Sequence, residues 1–198
     1  FQNNRQYLRE RVSESLGLLY ATHYPYRQYE TGRGVRKSAI HDRLVSAGAC
    51  HGEAYGWERP NWYAPEGIEA RYEYSYGRQN WFDHSAAEHF AVREGVALFD
   101  LSSFAKIRCE GRDAADVLNR ICANNVDVSV GRVIYTQWLN ELGGIEADLT
   151  ITRLSENAFL VVTAAETEVR DFYWLKQHIP ETAHCVLTNV TSGMGVLS

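Results

Sequence analysis

Tyr135-Thr136-Gln137-Trp138-Leu139-Asn140-Glu141-Leu142-Gly143-Gly144-Ile145-Glu146-Ala147-Asp148-Leu149-Thr150 reads as a β-hairpin, two alternating runs around a turn at Gly143-Gly144. Glycine tolerates the positive φ angles that a tight connection demands. A strand has period two, so Ile145, Ala147, Leu149 and Ile151 fall on one face of the returning strand and Glu146, Asp148, Thr150 and Thr152 on the other. Asp148 therefore points away from the apolar side and is the candidate for chemistry. Periodicity alone does not make it one, because the polar face of a half-solvated antiparallel strand usually carries carboxylates that meet only water.

Composition sets the outer bounds. With 198 residues and 45% hydrophobic content, the chain can bury a real core as one large domain or as parts of two. A net charge of -5, with 20 basic and 25 acidic residues spread without long blocks, leaves no electrostatic footprint for nucleic acid or an anionic membrane, and both are excluded as partners. No apolar run approaches the roughly 20 residues of a transmembrane helix. Phe1-Gln2-Asn3-Asn4-Arg5 lacks the apolar core of a signal peptide, which points to a soluble, intracellular setting. Cys50, Cys109, Cys122 and Cys185 form no C-x-x-C pair and lie near no histidine at zinc-ligand spacing, so they read as buried or incidental thiols. His84 and His89 miss the i, i+4 spacing of a helical metal pair by one and read as surface or capping residues. No metal site is expected. The chain starts without Met, its only Met is Met194, and Gly195-Val196-Leu197-Ser198 reads as the start of a strand, so an internal piece of a longer protein is expected.

The order of elements is α+β. A helix with the apolar stripe Leu8, Val12, Leu16 and Leu19 is expected from Asn4 to Tyr20, and a shorter one from Ser38 to Ala47, with Ile40, Leu44 and Val45 inward and Gly48 closing it. From Gly52 to Phe82 the chain is rich in Tyr and Trp among Gly, Pro and Arg, and reads as loop. It forms either a wall between domains or around a pocket, or an irregular core stitched by rings. Its acidic neighbours Glu53, Glu58, Glu66 and Glu69 argue against base stacking. A helix from Ser85 to Arg93 follows, and a domain boundary is expected near residue 83. Beyond it come a strand Ala105 to Cys109, an amphipathic helix with Ala114, Val117, Leu118, Ile121 and Cys122 inward, and the hairpin. A strand Phe159 to Thr163, a helix within Ala165 to Gln177 and a strand His184 to Thr191 complete the series. No G-x-G-x-x-G or phosphate-cradling loop occurs, so a complete dinucleotide-binding domain is absent.

Four stretches taken together carry a resemblance. Gly52-Glu53-Ala54-Tyr55-Gly56-Trp57-Glu58-Arg59-Pro60-Asn61-Trp62, Arg93-Glu94-Gly95-Val96-Ala97-Leu98-Phe99-Asp100-Leu101-Ser102-Ser103-Phe104, Cys122-Ala123-Asn124-Asn125 and the hairpin resemble, in this order, the dimethylglycine and sarcosine dehydrogenase family. The resemblance implies a helical and loop-rich end of an FAD-dependent oxidoreductase region over residues 1–83, then over 84–198 the start of an aminomethyltransferase-like folate-binding domain with antiparallel strands. It implies a longer enzyme that demethylates an N-methylated amine with FAD and passes the one-carbon unit to tetrahydrofolate. The flavin and amine sites would lie outside this chain. The location would be the cytoplasm in a bacterium or the mitochondrial matrix in a eukaryote.

By the same resemblance, Asp148 is the central carboxylate facing the reduced pterin, and Tyr135, Val162 and Phe104 line the folate cavity. Where the glycine-cleavage relatives carry Asp-Asp this chain has Ala147-Asp148, and Ala164 stands where they carry Asn. Asp100 reads as a turn brace, and His41, Asp42 and Arg59 as candidates to brace the domain junction. Two other functions compete: demethylation of a different methylated compound on the same fold, and a folate-fold module that only regulates.

Overall fold

The computed structural model describes residues 3–198, so the Phe1-Gln2 part of the N-terminal reading lies outside the described residues. The chain forms two compact units, one reaching to Asp100 and taking in Leu197–Ser198, the other Leu101–Val196.

In the first unit α1 (Arg5–Leu18) starts at Asn4, whose side-chain oxygen accepts the Tyr7 amide at 3.0 Å. Its apolar stripe does not face a core as expected: Leu8, Val12, Leu16 and Leu19 are all exposed. The helix is held instead by its charged edge. The Glu14 carboxylate accepts the Thr31 hydroxyl at 2.6 Å and the Glu30 and Thr31 amides, and Arg11 pairs with Glu53 at 2.5 Å. The second helix, α2 (His41–Ser46), starts later than Ser38, whose carbonyl accepts the His41 amide in a preceding turn, and Val45 is exposed rather than inward. Gly48 closes it at φ +88, where a Cβ would run into the Ala64 carbonyl.

The stretch read as loop contains a hairpin, β1 (Ala49–Ala54) and β2 (Trp57–Tyr63). Tyr55 and Gly56 both take positive φ, 55 and 84, which is the primed turn that matches strand twist. Tyrosine rarely adopts that conformation, and this is why the turn was not legible. A register shift at Cys50/His51 accommodates Pro60 inside β2. The rings of this segment do build a small core, with Tyr72 and Trp81 packed on Cys50, Trp62 and Ala64. Residue 83, the expected boundary, lies in the first turn of α3 (Phe82–Glu94), a helix with no buried residue.

The second unit is a five-stranded antiparallel sheet of β3 (Ala105–Glu110), β4 (Val133–Leu139), β5 (Ile145–Ser155), β6 (Ala158–Thr163) and β7 (Val186–Asn189), in the spatial order β4-β5-β6-β3-β7. Two helices, α4 (Ala114–Ile121) and α5 (Glu168–Gln177), put Leu118, Ile121 and Leu175 into one core with Ile107, Trp138, Leu149, Ile151, Phe159 and Val161. Trp138 is fully buried and stacks on Trp174 with centroids 5.1 Å apart. An aromatic ring hides about 150–250 Å², which at about 25 cal/mol per Å² is a gross contribution of roughly 4–6 kcal/mol.

The hairpin forms as expected, with Gly143 at φ 79 and the Asn140 side-chain oxygen accepting the Leu142 and Gly144 amides. Ile145 departs from the expected apolar face and is exposed, because the register shifts between Trp138 and Leu139. The last expected strand is shorter, Val186–Asn189, and Gly195–Ser198 contributes a single bridge, Asp100 to Leu197, rather than a strand.

Glu14 yields a pH prediction. Burial pushes its carboxyl up, but the bonds from the Thr31 hydroxyl, the Glu30 and Thr31 amides and Arg27 outweigh that and hold it at about 2, below the ordinary 4.5. The folded value is the lower one, so this stabilisation is complete above 4.5 and disappears as the pH falls toward about 2. Thermal melts across that window are expected to show Glu14→Gln less stable by roughly 1–3 kcal/mol at neutral pH, with a shallower acid slope. Parallel acid slopes would refute this role.

Candidate functional site

On the sheet face opposite the core, pairing aligns one residue from each of four strands. Tyr135 of β4 stands beside Thr150 of β5, Thr150 beside Val162 of β6, and Val162 beside Lys106 of β3. Asp148 sits on the same face of β5, opposite Gln137. A cavity of about 220 Å³ opens there, lined by Phe104, Tyr135, Asp148 and Val162 together with Leu149, Thr150, Thr163 and Ala164. All four residues nominated from sequence thus meet in one place.

Tyr135 and Asp148 are diagonal neighbours across the hairpin, close enough for long side chains to touch. The Tyr135 hydroxyl donates to Asp148 Oδ2 at 2.8 Å. That bond favours the neutral phenol, and it holds the Tyr135 phenol above its usual 10. Behind them the Cys122-Ala123-Asn124-Asn125 stretch lies along β4. The Ala123 amide donates to the Gln137 carbonyl, the Asn124 amide to the Thr136 hydroxyl at 3.1 Å, and the Asn124 side chain to the Tyr135 carbonyl at 3.2 Å.

Two supporting residues escaped the sequence reading. Lys106 alternates with Ala105 and Ile107 and so belongs to the face expected to be solvated, yet it is 0% exposed. Its ammonium donates to the Ser102 and Phe104 carbonyls at 2.8 and 2.9 Å, fixing the loop that brings Phe104 to the cavity. Asp171 of α5 is buried and accepts the Thr163 and Thr167 hydroxyls, both at 2.6 Å, and the Arg170 guanidinium. Arg170 also donates to the Glu146 carbonyl, so one network joins α5 to β5 and β6 beneath the cavity. Their partners are near in sequence, but no local pattern announces either residue, since a lysine on a strand and an aspartate in the first turn of a helix ordinarily meet water and only the fold buries them.

Other nominated residues lie elsewhere. His84 stacks on Trp62 with centroids 5.5 Å apart, the His89 ring sits 2.7 Å from the Ser85 carbonyl, and the His41 ring packs on His51 at 4.5 Å. Among the described residues no group of three or more His, Cys, Asp or Glu could hold a metal ion, and no helix is long and apolar enough to cross a membrane. A larger cavity of about 670 Å³ beside α1 is lined by Gln6, Arg9, Glu10, Glu14, Arg27 and Glu30. Glu14 and Arg27 are already paired there at 3.0 Å, and the cavity carries no arrangement suited to chemistry.

Comparison with known proteins adds the following. Residues 40–198 match the GCVT N-terminal domain and residues 1–38 the FAD dependent oxidoreductase central domain. A 4-methylaminobutanoate oxidase (formaldehyde-forming) of Paenarthrobacter nicotinovorans is 51% identical over 89% of this chain and 21% of its own length. The mouse mitochondrial pyruvate dehydrogenase phosphatase regulatory subunit is 33% identical over 96% of this chain and 22% of its own. Human mitochondrial dimethylglycine dehydrogenase is 31% identical over 97% and 22%. The chain therefore spans about a fifth of the length of these relatives. The glycine cleavage system aminomethyltransferase T from Bartonella henselae superposes with a TM-score of 0.64 at 25% identity, covering 80% of this chain and 39% of that one.

The Tyr135–Asp148 bond can be read directly. In a spectrophotometric titration of tyrosinate, with Tyr135→Phe subtracted to isolate this ring, Asp148→Asn is expected to bring Tyr135 ionisation back toward 10. An unchanged titration would show that the carboxylate does not hold the phenol.

Proposed function

Because the chain belongs to the GCVT N-terminal domain family, we propose that the cavity at Asp148 is one wall of a folate site in a longer flavoenzyme. That enzyme oxidatively demethylates an N-methylated amine of the dimethylglycine or sarcosine type and hands the one-carbon unit to tetrahydrofolate. The observation that carries the reading is the meeting of Phe104, Tyr135, Asp148 and Val162 around one cavity.

The residues present suit a reduced pterin. Phe104 and Val162 offer apolar contact to a flat ring, and Asp148 offers carboxylate oxygens to its N–H donors. At about 220 Å³ the cavity is smaller than the roughly 300–1,000 Å³ of a complete ligand site, which suits a wall that takes part of the folate. Tetrahydrofolate, when bound, supplies the nitrogens that capture the one-carbon unit. Asp148 accepts hydrogen bonds from the donor edge and, as a fixed negative charge, stabilises the cation that develops during capture. Tyr135 orients that carboxylate through its 2.8 Å bond. Ala164 has no side-chain donor or acceptor, so this wall binds with one polar contact fewer than an asparagine there would give. FAD and the amine are assigned to parts of the protein outside this chain, in the bacterial cytoplasm or the mitochondrial matrix. The 198-residue piece alone is expected to be inert.

A second reading is favoured by the regulatory-subunit relative: the same fold serving regulation without transfer. Absence of tetrahydrofolate binding to the full-length protein would select it.

In the full-length protein Asp148→Asn is expected to lower methylene-tetrahydrofolate formation by about 10²-fold while amine-dependent flavin bleaching proceeds as before, formaldehyde taking the place of the folate product. An unchanged partition between formaldehyde and methylene-tetrahydrofolate would overturn the assignment.

A further inference from the structure

Cys109 and Cys185 lie 76 residues apart in sequence, yet their sulfurs are 3.1 Å apart. The sheet brings them together. Cys109 is on β3 opposite Leu187 of β7, and Cys185 immediately precedes β7 on the same flank of the core. Their surroundings differ in a useful way. Cys109 is fully buried, whereas Cys185 is only partly buried and reachable from solvent. Either thiol can donate across the contact, and because Cys185 is the sulfur nearer solvent the ionised form is favoured there: the Cys185 thiol lies below its ordinary range and that of the buried Cys109 above it. An accessible sulfur that ionises readily, backed by a second thiol within bonding reach, is the arrangement of an attacking and a resolving cysteine.

We propose that Cys109 and Cys185 are a reversible redox modification site whose oxidant is hydrogen peroxide. The Cys185 thiolate attacks one peroxide oxygen; the O–O bond breaks and hydroxide leaves, taking a proton to become water. Cys185 is then a sulfenic acid. Cys109 gives up its proton and its sulfur attacks Cys185 Sγ; the S–O bond breaks, and the hydroxyl leaves with that proton as a second water. Two thiols are oxidised to one disulfide and one peroxide is reduced to two waters. The sulfurs need only close from 3.1 Å to about 2.05 Å, and the bond then pins the short outer strand β7 to β3. Cys122 serves as an internal control, since burial raises its thiol to about 11 and disfavours the reactive thiolate.

The test exposes the full-length protein to hydrogen peroxide, blocks remaining thiols with iodoacetamide and maps cysteines by mass spectrometry without reduction. Loss of free Cys109 and Cys185 together, with a linked peptide between them that dithiothreitol reverses, is expected. Cys109→Ala is expected to leave a dimedone-reactive sulfenic acid on Cys185, and Cys185→Ala to leave Cys109 a free thiol. Over-oxidation of Cys185 with Cys109 still free, a link from either to Cys50 or Cys122, or two unreacted thiols would each overturn the proposal. The mapping on the unsubstituted protein decides it even where a variant does not fold.

Discussion

The side chain of Trp138 sets the register on which the second unit depends. It is buried opposite Ala147 in the hairpin and stacked on Trp174 of α5, while Ile134 pairs with Ile151 and Thr136 with Leu149 on the same inward face. A strand slipped by one residue would exchange its two faces, sending Trp138 to water and Tyr135 into the core. The cost of exposing that ring is several kcal/mol, a large fraction of a domain's net stability. The positions of Tyr135, Asp148 and Thr150 are therefore consequences of what lies behind them, and the cavity is held by groups that do not line it.

Two buried polar residues complete this support, Lys106 by bonds to backbone and Asp171 by bonds to side chains. Lys106 satisfies the carbonyls of the loop at Ser102 and Phe104, and Asp171 gathers two threonine hydroxyls and a guanidinium. Burying charge is unfavourable unless it is met by hydrogen bonds, so such residues persist where each bond is made. Their effect is to fix Phe104 at one side of the cavity and Thr163 at another. Rigid support of this kind is what the proposed role of Asp148 as a preorganised charge requires.

How much of this was legible follows from the range of each interaction. Periodicity within a segment located the hairpin, α4, β3 and β6, because burial of one face leaves a local trace. It located α1 as well but not its packing, since the apolar stripe is exposed and the helix is held by its charged edge. It failed at β1 and β2, whose turn requires a tyrosine at positive φ and whose second strand carries a proline. In the candidate site, strand period put Asp148 on the polar face, and motif order then singled it out together with Tyr135, Val162 and Phe104, which line one cavity. The Cys109–Cys185 contact was not reached because it depends on strand order and on a partner 76 residues away, and Lys106 and Asp171 were not reached because only the folded structure buries them, although their partners are near in sequence.

Strand order also explains why this face, rather than another, can hold a charge to useful effect. Asp148 lies on β5, one strand in from the edge strand β4, so its flanks are shaped on one side by Tyr135 and on the other by Val162 of β6. Tyr135 engages Oδ2, and a carboxylate has lone pairs for several donors at once. In water each such bond exchanges for one to solvent and is worth little. A flat ligand seated against Phe104 and Val162 displaces that water, lowers the local dielectric and strengthens the same bonds. In the proposed folate site the carboxylate therefore gains strength only when the apolar wall beside it is covered, which would tie any role of Asp148 to occupation of the cavity.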